Sequence, residues 1–456
     1  MRPTIILILA FLAWMLSTTF ILSQNAQTGY FTDGFLYRHR MNPAIANEKN
    51  YASLALGNNN FSFRGNLALK NVFYQVDGKT ATFMHPDLSS AEVLGKFKDK
   101  NQLGVNANLE LLSAGFKAFK GYNTIGVSVR SNTHITLPGE LFRLAKEGIA
   151  NQVYDISAFN SHADLYVEIA LGHSHQINEK LRLGGTLKVL VGGANIDAQF
   201  NKAQLSLGED QWTVTSDAFV EANIKDLMYE TELNENTNNR YVSGADVVDG
   251  AGINGAGFAV DLGVVYQHDD DWSFSASIID LGFINWRNNM LASTNGEKVF
   301  STDEYIFNVD DDQPNNIDDE LDRLKEGLSS LYELEDMGDQ GSASKSIGAT
   351  INLGASYNLP TYQKLTFGLL STSHIQKNFN WTDARVSVNW ATSDFFSASL
   401  STAYGTFGSS VGWMLNLHPK WFSVYLAMDE ITGKLSKQYI PISGVGTFHL
   451  GLNIPF

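Results

Sequence analysis

The closing stretch, Gly444 to Phe456, constrains the fold more than any other part of the chain. It reads GVGTFHLGLNIPF: Phe448, Leu450, Leu452, Ile454 and Phe456 alternate with Thr447, His449, Gly451 and Asn453. Side chains on a strand point alternately to opposite faces, so this segment has one apolar face and one small or polar face. Its last residue is aromatic. A soluble sandwich rarely leaves Phe as its final residue. A membrane barrel closes by pairing its last strand with its first, and such a strand shows an apolar face to lipid. The apolar set, Phe448 to Phe456, is therefore expected to be the signal read by the barrel-assembly machinery.

Composition agrees with a barrel. The 456 residues include 12% aromatics and 39 Gly against 9 Pro, and 18% are charged. That charged fraction is below the quarter usual for soluble domains, while strand glycines and aromatic girdles belong to barrels. Cys is absent, which removes a lipoprotein anchor. Residues 1–24 carry Arg2 and then an apolar run from Ile5 to Leu22. The run is long enough to span a membrane as an anchor. The amphipathic strands that follow at once favour a cleaved signal peptide and export through the periplasm.

Residues 25–57 have little periodicity and contain Asn42-Pro43-Ala44; they are read as an N-terminal hatch within or beneath the lumen. From residue 58 onward the chain alternates in up to sixteen segments, or fourteen if one pair projects beyond the membrane. Leu181, Leu183, Leu187, Val189 and Val191 oppose Arg182, Thr186 and Lys188, for example. Soluble sheets alternate too, so period alone does not decide. Aromatic strand ends (Trp272, Trp381, Trp390, Trp413, Trp421, Tyr425) and connection lengths do.

With the closing strand directed toward the periplasm, short turns are expected at His418–Lys420, Thr392–Ser393, Leu359–Tyr362, Asp269–Asp271, Gly208–Asp210, Ile177–Lys180 and Lys120–Gly121. The opposite end receives the long connections, at about 71–100, 132–161, 222–255, 283–345 and 429–443, with tight turns near Gly193, Gln376 and Gly408. Barrels sort short and long connections in this way.

The long connections are not featureless. Asp318–Glu335 repeats Leu321, Leu324, Leu328, Leu331 and Leu334 at helical spacing, and Gly139–Ala150 is a second helix candidate. Between Ser301 and Gly341 fourteen acids face Arg323 and Lys325, a net of 2 − 14 = −12 out of −16 for the chain. This argues against nucleic acid as a partner. Asp310, Asp312 and Asp318 lie in a carboxylate cluster that offers oxygen ligands for Ca²⁺ but lacks the spacing and glycine of an EF-hand loop; a solvated acidic loop accounts for it equally.

Chemistry is otherwise poorly marked. His173 and His175 share a strand face, as a metal pair or as two interfacial imidazoles. No serine lies in a nucleophile elbow, and neither a P-loop nor a dinucleotide fingerprint sits between strand and helix. No enzyme activity, catalytic residue or cofactor is expected. Gly252-Ile253-Asn254-Gly255 reads as a flexible loop before a strand.

One hairpin carries a resemblance. GFAVDLGVVYQHDDDWSFSASIIDLGFINW, Gly257 to Trp286, holds twin Asp-Leu-Gly units, Asp261-Leu262-Gly263 and Asp280-Leu281-Gly282, followed by Ile284-Asn285-Trp286. It resembles a hairpin of FadL-like outer-membrane barrels of Bacteroidota, including those similar to PorV and PorQ. Asn42-Pro43-Ala44 and the terminal Ile-Pro-Phe are similar to elements of the same group, in which the whole chain looks like a member of a family of unknown function. The resemblance implies an all-β transmembrane antiparallel barrel of about fourteen strands with an N-terminal lumen hatch, in the outer membrane of a Gram-negative bacterium. It also implies one of two roles. FadL-like members pass small hydrophobic molecules through a sideways opening, which would make this chain a channel or transporter for small molecules. PorV-like members bind partner proteins in secretion or a surface complex. No ligand residues carry over.

Overall fold

The computed structural model describes residues 26–456 apart from 149, 208–210, 235–237, 249–251, 302–332 and 432–445. The segment read as a signal peptide, the helix candidate Asp318–Glu335 up to residue 332 and the carboxylates Asp310, Asp312 and Asp318 lie outside the described residues.

Fourteen antiparallel strands close into a barrel. In chain order they are β1 (Tyr51–Leu54 continued by Asn59–Gly65), β2 (Lys100–Ala118), β3 (Gly121–Pro138), β4 (Asn160–Gln176) and β5 (Leu181–Leu207). Next come β6 (Gly255–Gln267), β7 (Trp272–Trp286), β8 (Ala343–Ser346 continued by Ala349–Asn358), β9 (Leu365–Ile375) and β10 (Trp381–Ser393). The wall is completed by β11 (Phe396–Gly405), β12 (Gly408–Leu417), β13 (Ser423–Ile431) and β14 (Gly446–Pro455). Closure runs through β1 and β14, with Tyr51 opposite Pro455 and Phe61 opposite Phe448. A closed ladder leaves no unpaired edge in lipid, where unpaired backbone groups are prohibitively costly.

The closing strand alternates as its sequence predicts: Phe448, Leu450, Leu452, Ile454 and Phe456 face out, while Thr447, His449 and Asn453 are buried toward the lumen. The rest of the wall follows. Leu183, Leu187 and Val189 of β5 face out, and Lys188 between them is buried. Trp272, Trp390 and Trp421 are exposed near the short turns, as girdle residues. Trp381 and Tyr425 are not girdle residues: both are buried inside, Trp381 beneath the Arg64 guanidinium at 3.6 Å from the ring centre.

The short turns gather at one end and the long connections at the other, with three corrections. First, Gly193 is no turn. Leu165 pairs with Ala194 and Tyr166 with Gly192, so Gly193 is the extra residue of a bulge inside one strand that runs on to Leu207. A glycine interrupting an alternating run suits a bulge as well as a turn. Second, the short turn expected at Gly208–Asp210 lies outside the described residues, but the segments on either side of it, Ala194–Leu207 and Trp212–Ile224, pair with each other at the long-loop end and not at the short-turn end. These two segments are the projecting pair, and the count is fourteen. Third, Tyr51–Leu54 pairs with both β2 and β14 and so belongs to the wall, which moves the hatch boundary from residue 57 back to residue 50. Ala55, at φ 58, breaks β1 in two, which is why the segment looks separate in sequence.

At the long-loop end, Trp212–Ile224 also pairs with Asn289–Ser293 and Lys298–Ser301, and Leu227–Asn234 with Asn239–Val247 forms a separate hairpin. A helix at Gly139–Glu147 matches the second helix candidate; its Phe142 stacks on Phe97 at 3.9 Å in a small satellite core with Phe83 and Val93.

Candidate functional site

Residues 26–50 fill the lumen. Two single 3₁₀ turns, Gln27–Gly29 and Arg38–Arg40, are the only regular structure described in this segment. Its aromatic side chains pack against inward wall residues: Phe35 meets Tyr425 edge to face at 4.8 Å and Tyr37 meets Tyr51 at 5.5 Å. Between residues 27 and 47, among the described residues, every hydrogen bond from this segment to the wall involves at least one side chain. The segment is held in place without being woven into the sheet.

Three anchors do the holding. At its start, the Gln27 and Thr28 N–H groups donate to the Asp429 carboxylate at 2.6 and 2.7 Å. At its centre, Arg40 donates to Glu168 at 2.6 Å and Glu110 at 2.9 Å. Glu168 also meets Arg130 and Lys188, and these two cations share Asp280, with Asp261 2.8 Å from the Lys188 ammonium. Three cations and four carboxylates, from the N-terminal segment and six strands, thus form one buried network in which each charge has a partner, as burial requires.

The third anchor is Asn42-Pro43-Ala44. Asn42 Oδ1 accepts from the Ala44 N–H at 3.0 Å, closing a local turn, while its Nδ2 donates to the Val264 and Ala276 carbonyls of β6 and β7. Ser174 of β4 donates to the Ala44 carbonyl at 2.8 Å, and Ser277 and Asn352 donate to the Met41 carbonyl at 2.6 and 2.9 Å. The turn sits in a notch made by absent side chains. A Cβ on Gly184 would overlap the Pro43 carbonyl, and one on Gly263 would overlap Asn42 Oδ1.

The twin Asp-Leu-Gly units now have a physical reading. Asp261 and Asp280 point inward into the ion network, Leu262 and Leu281 point outward to lipid, and Gly263 opens the notch for Asn42. The Asp280 N–H donates to Asp261 at 2.8 Å, across a bulge where Asp280 takes φ 62. Trp286 is buried against Gly192 and Gly255 in a cluster with Tyr166 and Ile284.

Three cavities follow one another along the axis. One of about 600 Å³ at the short-turn end is floored by Tyr30, Phe31, Arg38 and Ala44–Ala46 of the hatch. One of about 60 Å³ lies behind Arg40 and Met41, against Arg130, Asp280 and Thr350. One of about 390 Å³ opens at the long-loop end, around His134, His162, Asp197 and Lys345. Met41–Ala44 lies between the first two. Beside the middle cavity the wall ladder is interrupted: β7 and β8 pair up to Ile279–Thr350 and again from Phe283–Ser346, bridged by one Ile347 N–H to Gly282 carbonyl bond of 3.4 Å.

His173 and His175 stack at 5.8 Å near the short turns, and His173 Nδ1 lies 2.9 Å from Asn123. Among the described residues no group of three His, Asp or Glu side chains is set to hold a metal.

The network residues Arg40, Glu110, Glu168 and Arg130 were not singled out from sequence. The available signal was their place in the inward phase of strands, or in the hatch, where an ionisable group needs a partner.

Among solved structures the chain is similar to the toluene transporter TodX of P. putida, with 10% identity over 90% of each chain and a TM-score of 0.37. It is also similar to the toluene transporter TbuX of Ralstonia pickettii (8% identity, 91% of this chain and 92% of that, TM-score 0.41). A Pseudomonas aeruginosa FadL homologue gives 12% identity over 96% of this chain and 99% of that, with a TM-score of 0.42. No curated protein matches it in sequence. The profile of the Family of unknown function (DUF5723) matches residues 43–429, from the hatch turn to the lumen carboxylate Asp429, and the chain belongs to that family.

Proposed function

We propose that the protein is an outer-membrane conduit for small molecules, closed at rest by the hatch of residues 26–50. The observation that carries this reading is the position of Met41–Ala44 between two axial cavities, docked with no main-chain-to-main-chain bond to the wall among the described residues. A permanent plug needs no cavities on either side, and a hatch bonded into the sheet cannot leave without breaking a ladder. The interrupted β7–β8 ladder beside the middle cavity supplies a sideways exit to lipid for apolar solutes, the route that the FadL-like resemblance implies.

Liposome swelling tests the reading. Vesicles carrying the protein with residues 26–47 deleted swell faster in small solutes than those with the full chain. The chain has no Cys, so a pair made by Asn42→Cys and Gly263→Cys is the only thiol pair present. Oxidising it holds the hatch shut and reducing it restores flux. Equal impermeability of all forms to every solute tried overturns the proposal.

A second reading has its own observation. β5 is 27 residues long, whereas about 9–11 residues cross the bilayer. Beyond the bulge at Gly193 it continues as Ala194–Leu207, paired with Trp212–Ile224, and Asp197 and Gln199 on its inner face line the cavity at the long-loop end. Such a platform fits partner binding of the PorV type. Removing the separate Leu227–Val247 hairpin and comparing co-purifying proteins tests it; an unchanged set sinks it.

A further inference from the structure

Most of the buried lumen cations share one habit. Arg40, Arg64, Arg130, Lys188 and Lys345 each form an ion pair with a carboxylate. Arg38, on the hatch, forms none among the described residues, and its Nε is buried without an acceptor. Asp33 and Glu48, the acids that face it, are both exposed and lie outside ion-pair distance.

Arg38 lines the cavity of about 600 Å³ at the short-turn end. The cavity's other two cations also lack a carboxylate: Arg182 donates to the Gln176 side chain at 2.9 Å and Lys364 to the Thr392 carbonyl at 3.2 Å. The acids at this cavity are Asp33 and Asp270, both exposed, and the half-buried turn residue Asp271. The cavity therefore holds two half-buried guanidiniums, of Arg38 and Arg182, that form no ion pair among the described residues. The rings of Tyr30 and Phe31 lie edge to face at 4.8 Å beside Ile45 and Val265, giving the same cavity an apolar side.

We infer that this cavity binds a small organic carboxylate with a compact apolar body, its carboxylate on Arg38 and its body against Phe31 and Ile45. Guanidinium is the side chain best matched to a carboxylate, through two parallel N–H bonds, and a half-buried guanidinium gains most from such a partner. A cavity of this volume is in the range of ligand sites. The ligand would also sit on the turn that closes the conduit, because the Arg38 carbonyl accepts the Met41 and Asn42 N–H groups, both at 3.0 Å. Its role as cargo rests on the conduit reading above; its binding does not.

Calorimetry on the full chain in detergent, with benzoate as probe and benzamide as its neutral isostere at equal ionic strength, tests the inference. Benzoate binds saturably and benzamide at least about tenfold more weakly, the discrimination expected of one charge-assisted pair. Arg38→Gln lowers benzoate affinity about tenfold or more, and Arg38→Lys lowers it less. Heat-modifiable migration on gels reports that each variant is folded. Should Arg38→Gln fail to fold, Arg182→Gln is expected to weaken benzoate several-fold while leaving benzamide unchanged. Absence of benzoate binding, equal binding of benzamide, or an affinity indifferent to both arginines overturns the inference. Flux through the hatch deletion is measured separately, so loss of the conduit reading and loss of this site give different results.

Discussion

Asn42 of the hatch and Gly263 of the wall occupy one shared space: a side chain on the glycine would overlap the asparagine's Oδ1. The backbone of β6 is bare where the hatch turn leans on it, and the glycine is the third residue of Asp261-Leu262-Gly263.

Gly263→Val is expected to lift the hatch without unmaking the wall. Overpacking of this kind costs about 1–3 kcal/mol, and here the yielding side is the hatch, which has no ladder bonds to lose. Vesicle swelling should rise several-fold while heat-modifiable migration is retained. Unchanged swelling would show that the turn is not the closure.

Arg40→Met removes the cation between Glu110 and Glu168. Glu168 keeps Arg130 and Lys188, but Glu110 has no other ion pair among the described residues. Leaving a buried carboxylate unpaired costs about 3–5 kcal/mol, so the melting transition should fall. Adding Glu110→Gln should recover much of the loss. Failure of the second substitution to recover any stability would remove Arg40–Glu110 as the pair responsible.

Leu187→Arg and Met228→Arg place the same charge on two exposed apolar positions, one on the wall and one on the loop hairpin. At the bilayer midplane an arginine on the lipid face costs about 2–4 kcal/mol. The first variant should unfold in detergent or lipid at lower denaturant, and the second should match the unsubstituted protein. Equal effects would contradict the placement of Leu187 against lipid.

Phe456→Asp alters only the outermost residue of the closing face. Membrane assembly in cells should fall, with the precursor accumulating before insertion, while any protein that does assemble keeps its benzoate affinity. Normal assembly would separate the terminal aromatic from the assembly signal.

The limits of the sequence show in particular residues. Phe448 to Phe456 and Leu183 to Val189 are legible because their neighbours two residues away carry the same information. Gly193 is ambiguous for the opposite reason: a glycine in an alternating run is compatible with a turn and with a bulge, and only its partners Leu165 and Tyr166 choose. Trp381 and Tyr425 have the composition of a girdle, but their phase along β10 and β13 turns them inward, one onto Arg64 and the other onto Phe35.

The sequence by itself determined the barrel, the apolar closing face, the separation of most short from most long connections, and the Asn-Pro-Ala segment as a unit outside the strand pattern. Each of these is a property of local periodicity or of spacing along the chain. Only the tertiary structure decided what the unit touches. Arg40 meets Glu168, 128 residues away, and Thr28 meets Asp429, 401 residues away. Barrel closure brings such pairs together, and local periodicity does not encode which inward-facing charge will lie across the lumen from which. The same holds for Arg38, whose want of a carboxylate among the described residues shows only once Arg40, Arg130 and Lys188 are seen to be paired.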